Sequence, residues 1–474
     1  MPGVPTGRAC EGCRKQKKKC DEKQPACGRC VRLSLKCIGS GQQRFKFQAE
    51  KRYANLQRGD RTLSFPDVPN ACSSPHSSPE ASGMRVWVPP PSSEHSLLAT
   101  AFTSTIKRST DFRYNLWWTF GAFLEDVPRR LGTNEALDRA VDAVTTAHAS
   151  FCGGRGVTIE MLTKYSRALS TLRVYLDDPV HAQSSSTLGA VMLLLACQTF
   201  LGQNTGGWTG HAEGAALILR ARKNFGPRDD FEKKLFLSLR GVVLFEGLFN
   251  ERINLSPDEW QHLVSNEFDE NSPDGQMLKR LAQAPNLMRR ARHALQTGQD
   301  TTAIQEEVMA IHQACKLNLD AMRNRSVENN IAMLNLSNTN RRAREFLRTL
   351  FSAHYERTYG IGLTVVFFFN CMLSGLGAHD ETTILDANAF SEEALALAER
   401  SAMYRPMGAG YMIFCLQAAW TATADRGLRD RLIAALVDFQ DDFKVLDRKN
   451  LVQTLEWTAE YLRLGQSPSL RMGI

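Results

Sequence analysis

The sequence predicts a small metal-nucleated module joined by a flexible linker to a large all-α domain. Three observations carry that expectation. Six of the twelve cysteines fall within the first 37 of 474 residues, at the spacing Cys10-x2-Cys13-x6-Cys20-x6-Cys27-x2-Cys30-x6-Cys37. Residues 61–95 are rich in Pro and Ser and cannot bury enough apolar surface to fold alone. From about residue 96, apolar positions recur at three- and four-residue intervals, and alternating strand-like segments are scarce.

Taken in order, residues 1–9 are a short tail and residues 10–37 the cysteine module. Residues 38–60 form a basic extension in which Phe45, Phe47, Tyr53 and Leu56 keep no a/d rhythm over three heptads, so no coiled coil is expected there. Residues 61–95 are the linker, including Cys72-Ser-Ser-Pro-His-Ser-Ser-Pro. Residues 96–474 are the helical domain. Its clearest stretches are Leu188–Leu201, Ala212–Arg222, Phe231–Phe249, Met277–Leu295, Ile304–Leu319 and Ala343–Phe351, followed by Phe390–Met403, Met412–Thr423, Leu428–Val445 and Leu451–Leu462. Asp229 and Asp230 suit the positive end of the Phe231 helix, Gly226-Pro227 closes the helix before it, and Asn338–Asn340 is a polar break.

Charge divides as the cysteines do. Residues 1–60 hold fifteen Lys/Arg against five Asp/Glu, a balance of +10, so the +8 of the whole chain leaves −2 for the rest. A strongly basic head on a nearly neutral body points to a polyanionic partner for the head alone, most simply a phosphate backbone. No secretory apolar region follows Met1, so the N-terminal thiols are expected reduced and available to metal. The apolar stretches Val191–Cys197 and Leu363–Leu373 are short of a membrane span. An intracellular, soluble protein without a membrane partner is expected. The remaining cysteines, Cys72, Cys152, Cys197, Cys315, Cys371 and Cys415, are scattered and read as buried free thiols.

The head's cysteines suit zinc. Each zinc takes four tetrahedral ligands. Two ions need eight positions, and six thiolates fill them only if two sulfurs bridge. The required symmetry is present, because C-x2-C-x6-C occurs twice, at 10/13/20 and 27/30/37. Six thiolates and two Zn²⁺ sum to −2, within a coat of Arg8, Arg14, Lys15, Lys17, Lys18, Lys19, Lys23, Arg29, Arg32 and Lys36. About thirty residues cannot supply a hydrophobic core, so metal binding is in effect the folding energy. Two independent four-ligand sites would need more Cys or His. An iron–sulfur cluster leaves the shared-ligand symmetry and the basic coat unexplained, and a disulfide knot is disfavoured by the missing signal peptide. A structural zinc module without DNA binding is the plainer alternative.

Residues 10–37 resemble the fungal Zn(2)-Cys(6) binuclear zinc cluster family, whose signature is C-x2-C-x6-C-x(5–12)-C-x2-C-x(6–8)-C. The resemblance includes R-x-x-K-x-K-C at Arg14, Lys17, Lys19 and Cys20, and Pro25 two places before Cys27. It implies that Cys10 and Cys27 bridge the two Zn²⁺ ions, that Cys13 and Cys20 complete one site, and that Cys30 and Cys37 complete the other. It also implies a nuclear regulator of RNA polymerase II genes that binds double-stranded DNA at a CGG-like triplet.

A short helix over Glu11–Lys18 would present Arg14, Lys15, Lys17 and Lys18 outward. Lysine can donate to guanine O6 and N7 in the major groove. The resemblance puts Lys17 first as base reader, with Gln16 and Lys18 beside it. Arg14, Lys15 and Lys19 complete the DNA-binding set, the cations being suited to phosphates.

The body, around Trp208-x2-His211-x2-Gly214-Ala215-x2-Ile218, Leu235-Phe236, Arg240 and Phe245-Glu246, resembles the helical regulatory domain found downstream of such clusters. That likeness implies control of activity, and it admits a homodimer through the helical domain, a small-molecule effector and a coactivator as further partners. The residues themselves read more plainly. His211 reads as a hydrogen-bonded core or rim histidine, Gly214 as a close-packing site, and Glu246 with Arg240 as an ion pair or surface charge. No H-E-x-x-H, Walker loop or glycine-rich phosphate motif is present, so the chain is not expected to be an enzyme. The competing reading is a zinc-stabilised ligand-sensing or interaction protein that binds nucleic acid without sequence choice.

Overall fold

The computed structural model of the protein describes residues 13, 18–21, 23, 26–33, 37, 93–106, 111–201, 206–220, 227, 229–265, 272–334, 341–378, 380–443 and 450–465. Among them there is no strand. The body is built of α-helices joined by short turns and three 3₁₀ segments, the longest being Ala122–Arg130. One continuous set of buried side chains runs from Phe102 to Leu464.

Helices start where a short polar side chain can accept an otherwise unpaired N–H. Asn134, Thr158, Ser184, Asp229 and Asp380 each accept one from the first turn that follows. Ser256 and Glu259 form a reciprocal capping box at Pro257–Val264. At the other end of Ala284–Thr297, Gly298 takes φ 67° and Gln299 N–H donates to Ala294 O at 2.9 Å, closing the helix.

In the first part of the body, Glu135–Cys152 packs against Ser185–Phe200 and Ile159–Asp177. In the second, Arg341–Gly375 packs against Thr302–Leu334, Tyr411–Ala422 and Glu381–Ser401. Asp230–Phe249 lies against Gly206–Arg220 and meets the second part through Phe245 and Phe249, which contact the Phe368 ring. Gly247 lets Trp260 lie on this helix, since a Cβ there would come within 2.4 Å of the indole. The fully buried Trp260 fills that space.

Several boundaries differ from the sequence expectation. Met277–Leu295 is two helices, Pro273–Leu281 and Ala284–Thr297. Pro285 has no N–H to donate back to Leu281, so the ladder breaks there. Ala343–Phe351 and the apolar run at 363–373 belong to one 35-residue helix, Arg341–Gly375. Ile304–Leu319 lies within Thr302–Leu334, and Leu428–Val445 stops at Asp441. The break set at Asn338–Asn340 lies outside the described residues, between two helices that end at Leu334 and begin at Arg341.

By length and composition, Ala343–Gly375 is long and apolar enough to cross a bilayer, which corrects the expectation that the apolar stretches are too short. Of its apolar window, 78 % is buried inside the body, as in the core helix of a bundle.

Candidate metal centre

The chain brings its N-terminal thiols together by two local devices. Cys13 is helical, and Lys18 N–H reaches back to the Cys13 carbonyl at 2.9 Å. Lys18 itself is not helical, and apart from Cys13 the rest of the helix expected over Glu11–Lys18 lies outside the described residues. The chain then runs without regular structure through Lys19 and Cys20. In the second half, Cys27 is extended and caps the short helix Gly28–Arg32. Its Sγ accepts from Cys30 N–H at 3.4 Å, and Cys27 N–H donates to Cys37 Sγ at 3.3 Å. Backbone donors aimed at sulfur favour the thiolate, the species that binds metal.

Two groups result. The sulfurs of Cys13, Cys20 and Cys27 lie within 4.8 Å of one another, and so do those of Cys27, Cys30 and Cys37. Cys27 belongs to both. The Cys13 and Cys27 sulfurs are 3.7 Å apart, which excludes a disulfide at about 2.0 Å. A tetrahedron with Zn–S near 2.3 Å has sulfur–sulfur edges of about 3.8 Å, so the spacing and the all-thiolate donor set fit zinc. Cys13, Cys27 and Cys30 are buried, while Cys20 and Cys37 are half-buried.

Cys10, Arg14, Lys15, Gln16 and Lys17 lie outside the described residues, as do Pro25 and Lys36. Lys18, Lys19, Lys23 and Arg32 are exposed around the thiols. Two contacts went unremarked in the sequence. Asp21 accepts the Gly28 N–H, with Oδ1 at 2.9 Å and Oδ2 at 3.1 Å, and Arg29 Nη1 lies 3.9 Å from Cys13 Sγ. The one available signal was an acid directly after the third cysteine.

Two thiol groups sharing one sulfur mark the N-terminal module as a zinc-cluster domain of the kind found in zinc-cluster transcription factors, ahead of a helical body with no strand among the described residues. Residues 8–46 match the fungal Zn(2)-Cys(6) binuclear cluster domain, so the chain carries such a domain at its N-terminus. No curated protein and no solved structure matches the chain.

The candidates in the body resolve as packing. His211 is buried, with Nε2 3.0 Å from the Tyr165 hydroxyl, and burial holds its pKa down to about 4. Gly214 is not a close-packing site, since a Cβ there would meet open space. Arg240 Nη1 donates to Val264 O at 3.3 Å, and burial raises Glu246 to about 7. Cys197, Cys315, Cys371 and Cys415 are buried free thiols as expected, whereas Cys152 is exposed. Burial pushes Cys315 and Cys415 up to about 12. An open groove of about 370 Å³, lined by Trp420, Arg429, Glu456, Glu460 and Arg463, lies beside the end of Tyr411–Ala422. Its arginines already serve that end, since Arg429 Nε donates to Thr423 O and Arg463 Nη2 to Thr421 O.

Proposed function

We propose that this protein is a zinc-dependent, sequence-specific DNA-binding regulator of RNA polymerase II transcription that works in the nucleus. The observation that supports this most is the sharing of Cys27 between two thiol groups set among exposed cations. In this reading Cys10 and Cys27 would be shared between two Zn²⁺ ions, with Cys13 and Cys20 completing one site and Cys30 and Cys37 the other. The ions supply rigidity, fixing the direction of the basic run from Arg14 to Lys19. Lys17 reads a base of a CGG-like triplet, with Gln16 and Lys18 beside it, and the surrounding cations set register on phosphates.

The domains follow as a cluster at 10–37, a basic extension at 38–60, a linker from residue 61 that ends at the cap Ser93 and not at the expected residue 95, and a regulatory body from the helix Glu94–Thr105 onward. The body sets activity or assembly, through a second copy, a small-molecule effector or a coactivator. Site selection from random duplexes by the zinc-loaded full chain tests the reading. Recovery of a G/C-rich triplet is expected. Flat enrichment would instead favour nucleic-acid binding without sequence choice.

A further inference from the structure

We propose that Asp21 and Arg29 are positioning residues that clamp the two halves of the cluster together, and that Arg29 is committed to the thiolates and not to phosphate. The proposal rests on the zinc-cluster reading above. Its two contacts cross the cluster. Asp21, which follows the first C-x2-C-x6-C unit, accepts the Gly28 N–H through both carboxylate oxygens at 2.9 and 3.1 Å. Arg29, the next residue of the second unit, sends Nη1 back to Cys13 Sγ of the first unit at 3.9 Å, within reach of a sulfur acceptor. Adjacent residues of one short helix therefore hold both sides of the first unit, independently of Cys27.

Each contact has a chemical reason. Gly28 opens the Gly28–Arg32 helix, where N–H groups lack intrahelical partners and a carboxylate is favoured. The approach is close, since a Cβ on Gly28 would come within 2.7 Å of Asp21 Oδ2. Anchoring that N–H fixes the turn on which Cys27 and Cys30 sit. Six thiolates around two Zn²⁺ leave −2, and Cys13 is fully buried. A guanidinium on its sulfur offsets charge that water cannot reach. Outer contacts of this kind orient ligands and typically govern 10–100-fold in metal affinity.

The test measures zinc affinity of the full chain by competition with a chromophoric chelator, together with the absorption bands of the Co²⁺-loaded protein. Asp21→Ala, Gly28→Ala and Arg29→Ala are each expected to weaken zinc about 10–100-fold. Gly28→Ala is informative because alanine is the better helix former, so a loss there must come through the displaced Asp21. Asp21→Asn keeps an acceptor and Arg29→Lys keeps a cation, and both should recover most of the affinity and the wild-type Co²⁺ spectrum. DNA binding by Arg29→Ala, measured with zinc in excess, should keep the wild-type salt slope. A slope lowered by about 0.9 with unchanged zinc affinity would assign Arg29 to a phosphate and overturn its role here. Variants that hold two zincs as tightly as wild type would overturn the clamp while leaving the cluster standing. A wild-type chain that binds fewer than two zincs would overturn the cluster itself.

Discussion

Arg292 lies across the face of Tyr461, with its guanidinium carbon 3.9 Å from the ring centroid, while Nη1 donates to the Tyr461 hydroxyl at 3.1 Å and Nη2 to its carbonyl at 2.9 Å. One buried cation thus ties Ala284–Thr297 to Leu451–Leu462, helices 169 positions apart in sequence at this contact. Glu251 Oε1 lies 3.7 Å from Arg292 Nη1. Arg292→Ala removes the stacking and takes the donor from the buried Tyr461 hydroxyl, while the Tyr461 carbonyl keeps the Leu464 N–H at 3.2 Å. A loss of about 2–4 kcal/mol is expected, read as a lower urea midpoint with the slope unchanged. Arg292→Lys keeps the charge without the planar fork and should recover only part. An unchanged midpoint for Arg292→Ala would remove this contact from the account of stability.

His312 sits fully buried on Thr302–Leu334, and neither ring nitrogen has a hydrogen-bond partner among the described residues. Burial, then the Lys316 charge, lowers its pKa to about 4, against smaller raising effects of Asp386 and Asp380. The unfolded chain takes up a proton near 6.5 and the folded one only near 4, so stability falls as pH drops through that window. The loss approaches roughly 3 kcal/mol at its foot. His211, lowered to about 4 by burial, adds to the same limb. His312→Leu should flatten the acid limb by about one proton and raise stability at pH 7 by about 1 kcal/mol, since two unpaired buried nitrogens disappear. Stability measured between pH 4 and 7 decides this, and an identical slope in the variant contradicts it.

Glu246 has the opposite sign. Burial first raises its pKa to about 7, with Glu213 adding repulsion and an Asn250 hydrogen bond acting against both. The folded state keeps a proton that the unfolded chain releases near 4.5. Stability is therefore fully present below about 4.5 and is lost as pH rises through 7. Glu246→Gln should be near neutral at pH 4 and stabilising by up to roughly 3 kcal/mol at pH 8. Equal effects at both pH values would show that Glu246 does not carry the titration.

Much of this was legible in the residues, for identifiable reasons. Thiolate chemistry tolerates few arrangements, so the six-cysteine spacing called for two shared sulfurs, and the resemblance to the zinc-cluster family implied Cys27 as one of them. Asp229 could be read as a helix start because a short acid before an apolar period does one thing well, and it does accept the Glu232 N–H. The second half of Arg341–Gly375 was less legible. Leu363, Val365, Val366, Phe367, Phe368 and Phe369 are all buried, so no polar face remains to mark the 3.6-residue period. Gly247 against Trp260, and Asp21 and Arg29 in the head, depend on neighbours that only the folded chain supplies. In a run of cations, the arginine that meets a sulfur resembles those that meet water.

The base-reading proposal separates two lysines of the same head. Lys17 stands three residues before Cys20 and Lys36 directly before Cys37. If Lys17 donates to a guanine edge, Lys17→Ala loses about 1–3 kcal/mol of discrimination at one base pair and little elsewhere. If Lys36 meets only phosphate, Lys36→Ala weakens binding to every duplex alike and lowers the salt slope by about 0.9. Competition binding of the full chain against sites substituted one pair at a time, repeated across a salt series, distinguishes them. Because both changes remove one positive charge, their shared electrostatic loss cancels in the comparison. What remains is the position-specific loss in Lys17→Ala, and its absence would return Lys17 to the phosphate-binding set.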